Sequence, residues 1–168
     1  MGDTIICILI TRQLLMKKRN IEEYISGYVD GEGCFNVSFS QRQKFTVGWE
    51  TKPSFSVSQN EHRSEVLYKM QKIFKSGFMR RDFSDKTLKY EIRSLDDLLT
   101  KVIPHFTKYP LVSSKQNDFK LFKAVCLLMK KDEHKNSKGL EKILNLAYGM
   151  NPGGKRKYAK EDILKTLR

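Results

Sequence analysis

Two hydrophobic periods alternate along the chain. From Asn20 onward, Ile21, Tyr24, Ile25, Tyr28 and Val29 recur at three- and four-residue steps, which predicts a helix through about residue 31. Asn20 can cap it, and Glu22 and Glu23 suit the positive end of its dipole. Beyond Gly31 and Gly33 the period drops to two. Phe35, Val37 and Phe39 alternate with Asn36, Ser38, Ser40 and Arg42, a half-buried strand. A second strand over about 48–59 turns Phe55 and Val57 inward and Ser54, Ser56 and Ser58 outward. Residues 61–75 predict an amphipathic helix with Val66, Leu67, Met70, Ile73 and Phe74 on one face, broken by Ser76-Gly77. Strands over 78–83 and 88–93 follow, joined by the polar turn Ser84-Asp85-Lys86. A short helix over 95–103 is expected to stop before Pro104. Ser113 or Ser114 caps a long helix that buries Phe119, Leu121, Phe122, Val125 and Leu128. A helix over 137–148, a basic turn from Asn151 to Lys157 and a short helix over 160–167 complete the chain.

Helix, two strands, helix, two strands, helices is an α+β order. Strands in adjacent pairs predict antiparallel hairpins, hence one sheet with helices on one face, an αββαββα domain. The 168 residues are enough for one core that needs no disulfide or structural metal. The division is 1–19, a leader or extension; 20–150, the domain; and 151–168, a basic tail with a short helix. Residues 4–19 contain no acid and carry Arg12, Lys17, Lys18 and Arg19, which suits an organellar transit segment, an extra strand or an ordinary leader equally. The apolar run Ile5–Ile10 is far too short to span a bilayer, so no membrane is expected as a partner. Cys7, Cys34 and Cys126 make no C-x-x-C pair and no zinc spacing with histidine, and are expected as reduced thiols in an intracellular protein.

Charge changes the picture. Thirty-two Lys and Arg against 19 Asp and Glu leave a net +13, the balance of a protein whose partner is a polyanion. Alternation gathers Asn36, Ser38, Ser40, Arg42, Ser54, Ser56, Arg80, Asp82, Lys89, Glu91 and Arg93 on the sheet face that the helices leave open. Those side chains suit base edges and phosphates. Lys155, Arg156 and Lys157 are candidate phosphate contacts beyond the sheet, whereas Lys130-Lys131 is read as a solvated pair and Trp49 as a packing residue.

The stretch Tyr24-Ile25-Ser26-Gly27-Tyr28-Val29-Asp30-Gly31-Glu32-Gly33-Cys34-Phe35 is physically odd in two ways. Gly27 sits inside a helix, at a cost of about 1 kcal/mol relative to alanine. With Ser26 and Gly31 it makes a small-residue ridge that lets another helix backbone approach closely. Asp30 and Glu32 lie at the helix C-terminus, where the dipole repels carboxylates. A divalent cation held by carboxylate and carbonyl oxygens resolves that conflict, and a glycine-rich stop with solvated acids accommodates it.

Ile25 to Gly33 resembles the signature helix of the LAGLIDADG homing endonucleases, matching at Gly27, Asp30 and Gly33. Phe55–Gln59, Tyr109-Pro110-Leu111 and Lys115–Phe119 are similar to that family too, so the resemblance covers about residues 20–150. It implies a saddle-shaped four-stranded sheet with double-stranded DNA on its open face, and cleavage of both strands of a long site. One motif implies a homodimer paired through Tyr24, Ser26, Gly27, Tyr28 and Gly31, a pseudo-palindromic site and short 3′ overhangs. Glu32 matches the essential metal-binding acid, with the Gly31 carbonyl as second ligand. Lys115 matches the basic residue near the scissile phosphate, Gln59 the polar residue that orders solvent, and Arg63 a basic residue of some members; Asp30 is structural. The implied metal is Mg²⁺, with Ca²⁺ or Mn²⁺ able to substitute in the site, activating water and stabilising the leaving oxygen. The implied setting is a chloroplast or mitochondrion for an intron-encoded member, with no small-molecule substrate. Two other readings stand beside this one: a non-cutting nucleic-acid binder such as an intron RNA-splicing maturase, and a small basic RNA-particle protein. The acids at the motif helix end argue against the last.

Overall fold

A computed structural model describes residues 20–84 and 86–167. The expected leader over 1–19, with Cys7, and Asp85 of the expected polar turn lie outside the described residues. Helix α1 (Ile21–Glu32) is capped by Asn20, whose side chain accepts from the N–H groups of Glu22 and Glu23. It passes without a loop into β1 (Gly33–Gln41). Gly33 makes this possible: a Cβ there would lie 2.4 Å from Val29 Cγ1 and 2.7 Å from the Val29 carbonyl oxygen. Strand β2 (Trp49–Asn60) is followed by a 3₁₀ turn (Glu61–Arg63) and α2 (Glu65–Phe74). The expected single helix over 61–75 is thus divided at Ser64, whose hydroxyl donates back to the Glu61 carbonyl. Strands β3 (Phe78–Asp82) and β4 (Thr87–Ile92) form the second hairpin.

The helical run after β4 departs from expectation. Leu95–Asp97, a π-helical turn Leu98–Val102 and Ile103–Lys108 form one element, α3, and Pro104 lies within it rather than beyond its end. In a regular α-helix the proline ring would meet the carbonyl four residues back. Here the Ile103 N–H reaches five residues back to Leu98, and this wider turn carries the chain past the ring. Pro104 is then near the start of a fresh α-turn, where its missing N–H is tolerated. Helices α4 (Lys115–Lys130), α5 (Ser137–Tyr148) and α6 (Lys160–Lys165) follow.

The sheet is antiparallel throughout, in the order β1-β2-β4-β3. Phe35, Val37, Phe55, Val57, Tyr90 and Ile92 turn to the helices and are buried. Phe35 is the hub of the core, with the rings of Phe55, Phe106, Phe119 and Phe122 each 5.4 Å from its own between centroids. Trp49 is a packing residue: it is buried, meets Tyr158 edge-on and donates from its indole N–H to Thr166 Oγ1. Cys126 is buried, which pushes its thiol pKa up to about 12, and burial likewise raises that of half-buried Cys34. Both are poor nucleophiles. No helix among the described residues is long and apolar enough to cross a membrane.

Candidate active site

Helix α1 runs directly into β1, so its last residue, Glu32, stands where the helix meets the sheet. Its carboxylate is exposed and has no hydrogen-bond or ion-pair partner among the described residues. The conflict between two acids and the helix dipole is met in an unforeseen way. Lys115, the first residue of α4, donates from Nζ to the carbonyl oxygens of Val29 (3.1 Å) and Gly31 (3.2 Å). Its ammonium is the cation at the end of the motif helix. The Gly31 carbonyl, expected as a metal ligand, therefore already accepts one hydrogen bond and keeps one lone pair. Among the described residues no group of three or more His, Cys, Asp or Glu could hold a metal ion.

Asp30 builds the platform from which Lys115 reaches. One carboxylate oxygen accepts from the N–H groups of Val112 (3.1 Å) and Ser113 (2.9 Å), and the other from the Ser113 hydroxyl (2.5 Å). Ser113 Oγ in turn accepts from the Lys115 N–H, so the hydroxyl that caps α4 is that of Ser113, one residue before the N-cap position Ser114. Desolvation opposes ionisation of Asp30, but the bonds from Ser113 and Val112 and the charge of Lys115 outweigh it and hold its pKa below the usual aspartate range. A carboxylate with a depressed folded-state pKa stabilises the fold above its unfolded value, and that stability is lost as pH falls through the folded one. Asp30→Asn is thus expected to lower the thermal midpoint at neutral pH, with the gap to wild type closing below about pH 4. Melting curves across the acid range check this; a gap independent of pH would contradict it.

Gln59 and Tyr28 form the other wall. Gln59 Nε2 donates to the Tyr28 hydroxyl (2.5 Å), and Gln59 Oε1 accepts from the Asn60 N–H. Tyr28 and Glu32 are four residues apart on α1 and share a face. Arg63 is exposed in the 3₁₀ turn that follows β2, with no partner among the described residues. Glu32, Lys115, Gln59 and Tyr28 thus meet around the end of α1, with Arg63 on the element next to Gln59.

On the outer side of α1, Tyr24 is 53% exposed, and a Cβ at Gly27 or Gly31 would meet nothing within 4 Å. Nothing inside the monomer demands glycine at either position. Ser26 does not belong to this ridge. It is buried, donates to the Tyr109 carbonyl (2.7 Å) and lies 3.4 Å from His105 Nε2. The expectation of Ser26 at an outer interface is therefore corrected: the helical turn points it at α3, which it ties to α1. Burial lowers the His105 pKa, so that ring is neutral near neutral pH.

The open sheet face carries the expected polar rows, with three changes. The rows are Ser40 beside Glu50, Ser38 beside Lys52, Asn36 beside Ser54, and Ser58 beside Lys89 and Arg80. The first change is at the centre, where Ser56 and Glu91 are buried and Arg93 covers the Glu91 carboxylate at 2.8 Å. They brace the face rather than present polar atoms to a ligand. Second, Asp82 accepts from the N–H and hydroxyl of Ser84, which shapes the hairpin turn. Third, Arg156 does not face outward: its guanidinium donates to the carbonyls of Val37, Ala147 and Met150. Arg42 pairs with Glu50, as does Lys52. Lys52, Asn60, Thr87 and Phe78 also lie on this face and were missed, although extending the strand alternation by one step in either direction reaches them.

The geometry defines a basic α+β domain with an exposed acid and a lysine at the mouth of an open sheet face. The chain belongs to the LAGLIDADG endonuclease family, whose profile matches residues 25–126. It is 29% identical over 131 residues to "Probable intron-encoded endonuclease 2" of Neurospora crassa, an overlap that covers 77% of this chain and 29% of that one. The chain therefore spans well under half the length of that relative. The crystal structure of the homing endonuclease I-TnaI superposes with a TM-score of 0.76 at 34% identity, covering 86% of this chain and 94% of that one. I-SmaMI, bound to uncleaved DNA in the presence of calcium ions, superposes with a TM-score of 0.78 at 31% identity, covering 88% of this chain and 48% of that one.

Proposed function

We propose that this chain is a homodimeric, metal-dependent homing endonuclease. It hydrolyses both strands of a long, pseudo-palindromic duplex DNA site in an organellar genome and leaves short 3′ overhangs. The observation that carries this reading is the unpartnered Glu32 carboxylate beside the Lys115-capped end of α1, at the mouth of an open sheet face. A net charge of +13 supports a duplex as ligand, and so does the DNA-bound state of I-SmaMI.

The donor set fits a hard divalent cation. Glu32 and the free lone pair of the Gly31 carbonyl are oxygen ligands, and Mg²⁺ keeps waters and substrate phosphates in its shell rather than a full protein cage. A single copy thus suffices for part of a site, and the rest comes from DNA and the second copy. When bound, Mg²⁺ supplies Lewis acidity toward the scissile phosphate; Ca²⁺ or Mn²⁺ occupies the same donors. Lys115 offsets charge that develops on the phosphate, from a position set by Asp30 and Ser113. Gln59, held by Tyr28, and Arg63 order solvent on the side of attack. Asn36, Ser38, Ser40, Ser54, Lys89 and Arg80 read the groove, and Tyr24, Gly27, Tyr28 and Gly31 pair the two α1 helices.

A cleavage selection on a randomised duplex library, with and without Mg²⁺, tests the reading. It is expected to return one long site with two-fold sequence symmetry, cut only with metal. Enrichment of no site, or of one without symmetry, would overturn it.

A further inference from the structure

The signature helix departs from its family at one position that matters to the site. The fourth letter of the motif for which the family is named is leucine, and this chain has Tyr28 there. A leucine has no polar atom to offer the site one turn along the helix. A phenol brings an oxygen that accepts and a proton that must be placed.

Two hydrogen bonds set the direction of that hydroxyl. Gln59 Oε1 accepts from the Asn60 N–H at 2.7 Å. Only the oxygen of an amide can meet a backbone N–H, so Nε2 is the atom turned to Tyr28, and it donates to the phenol oxygen at 2.5 Å. An amide nitrogen accepts nothing in return. The Tyr28 proton is therefore directed away from Gln59, and no group among the described residues accepts it. The side chain is half-buried, with its ring 6.2 Å from that of Tyr24 between centroids. The ring is thus steadied on the outer ridge of α1 while the hydroxyl reaches the wall of the site.

The Asn60 N–H, the Gln59 amide and the Tyr28 hydroxyl make a chain of bonds that runs one way. Each bond polarises the next, so the last donor is stronger than an isolated phenol. It stands one helical turn before Glu32, on the same face of α1. The Lys115 ammonium reaches the same helix end. A fixed donor beside a fixed cation suits an oxygen on which negative charge develops.

We propose that Tyr28 is a further catalytic residue: its hydroxyl donates to a non-bridging oxygen of the scissile phosphate, and Gln59 is the positioning residue that turns it there. The proton stays on the phenol, and no bond to it breaks. The proposal rests on the reading of the chain as an endonuclease of duplex DNA and adds a residue to that site.

Single-turnover cleavage of the duplex site that the selection returns, with Mg²⁺, tests this. Tyr28→Phe removes one oxygen atom per copy and keeps the ring, so the melting curve, the sedimentation of the dimer and the duplex affinity in EDTA are expected to match wild type. The cleavage rate is expected to fall about thirtyfold. Gln59→Ala is expected to cost about thirtyfold in the wild-type chain and about threefold in the Tyr28→Phe background, because it acts through the hydroxyl. An equal cost in both backgrounds would overturn its positioning role. Sulfur in place of either non-bridging oxygen at the scissile phosphate identifies the acceptor, since sulfur accepts hydrogen bonds weakly. With one diastereomer the ratio of wild type to Tyr28→Phe is expected to shrink below about threefold, and with the other to stay near about thirtyfold. An undiminished ratio with both would take the hydroxyl off the phosphate and overturn the proposal. Tyr28→Phe that cuts within about threefold of wild type would also overturn it and leave the proposed function standing. A wild-type chain that cuts no duplex removes both.

Discussion

Glu32→Gln is expected to leave a protein that binds its duplex and cannot cut it. The substitution keeps the size of the side chain and removes its charge. Glu32 has no partner among the described residues, so the fold loses no contact there, and an exposed carboxylate at a helix C-terminus is if anything unfavourable. What is lost is the exposed, unpartnered carboxylate that the proposed site offers a divalent cation. Cleavage should fall by at least about a thousandfold, equivalent to about 4 kcal/mol of transition-state stabilisation. Duplex affinity measured in EDTA should stay within about threefold, because the proposed sheet-face contacts, which do not involve Glu32, carry it. Single-turnover cleavage and a binding titration on the same preparation separate the two. Cleavage within about tenfold of wild type would refute the mechanism.

The second large effect is at Gly27, where monomer and assembly are expected to move in opposite directions. A Cβ at this position meets nothing within 4 Å, and glycine within a helix costs about 1 kcal/mol against alanine. For the isolated monomer, then, Gly27→Leu is harmless or stabilising. Its helical ridge also includes Gly31, where the space is equally open, and the proposed pairing of two α1 helices there needs backbones in close approach. Leucine would hold them apart. Self-association is expected to weaken by at least about a hundredfold, some 2.7 kcal/mol, with an unchanged circular dichroism spectrum and a thermal midpoint no lower than wild type when both are measured as monomers. Double-strand cleavage should fall with the dimer. Sedimentation that still shows a dimer for Gly27→Leu would place the interface elsewhere.

Much of this molecule was legible in its periods. The helix over Ile21–Glu32, the alternation in β1 and β2, and the polar open face follow from neighbours two, three or four residues apart, and such neighbours are read directly from the chain. Gly33 is legible for a related reason: a helix that becomes a strand with no loop leaves no room for a Cβ. Pro104 shows where the local rule fails. The proline rule presumes a regular α-turn, and α3 widens by one residue just before the ring. Ser26 and Arg156 fail differently. Both looked like surface residues in a small-residue ridge and a basic run, and both are consumed by backbone carbonyls 83 and 119 positions away. Glu91 and Ser56 were placed on the correct face but in its sealed centre, because alternation assigns a side and says nothing of what covers it.

By itself the sequence determined the αββαββα order, the face each strand residue takes, and the placement of an acid at the end of a glycine-bearing helix, since each depends on local backbone geometry. The tertiary structure alone decided which cation meets that helix end. Lys115 reaches Val29 and Gly31 across 86 and 84 positions, and Asp30 sets its aim. It also decided that Arg156 fastens the chain to the Val37 carbonyl of β1 while Lys155 and Lys157 beside it remain exposed. Contacts of that range are chosen by packing, when the core around Phe35 brings α1, α4 and the sheet together, and they leave no period in the chain.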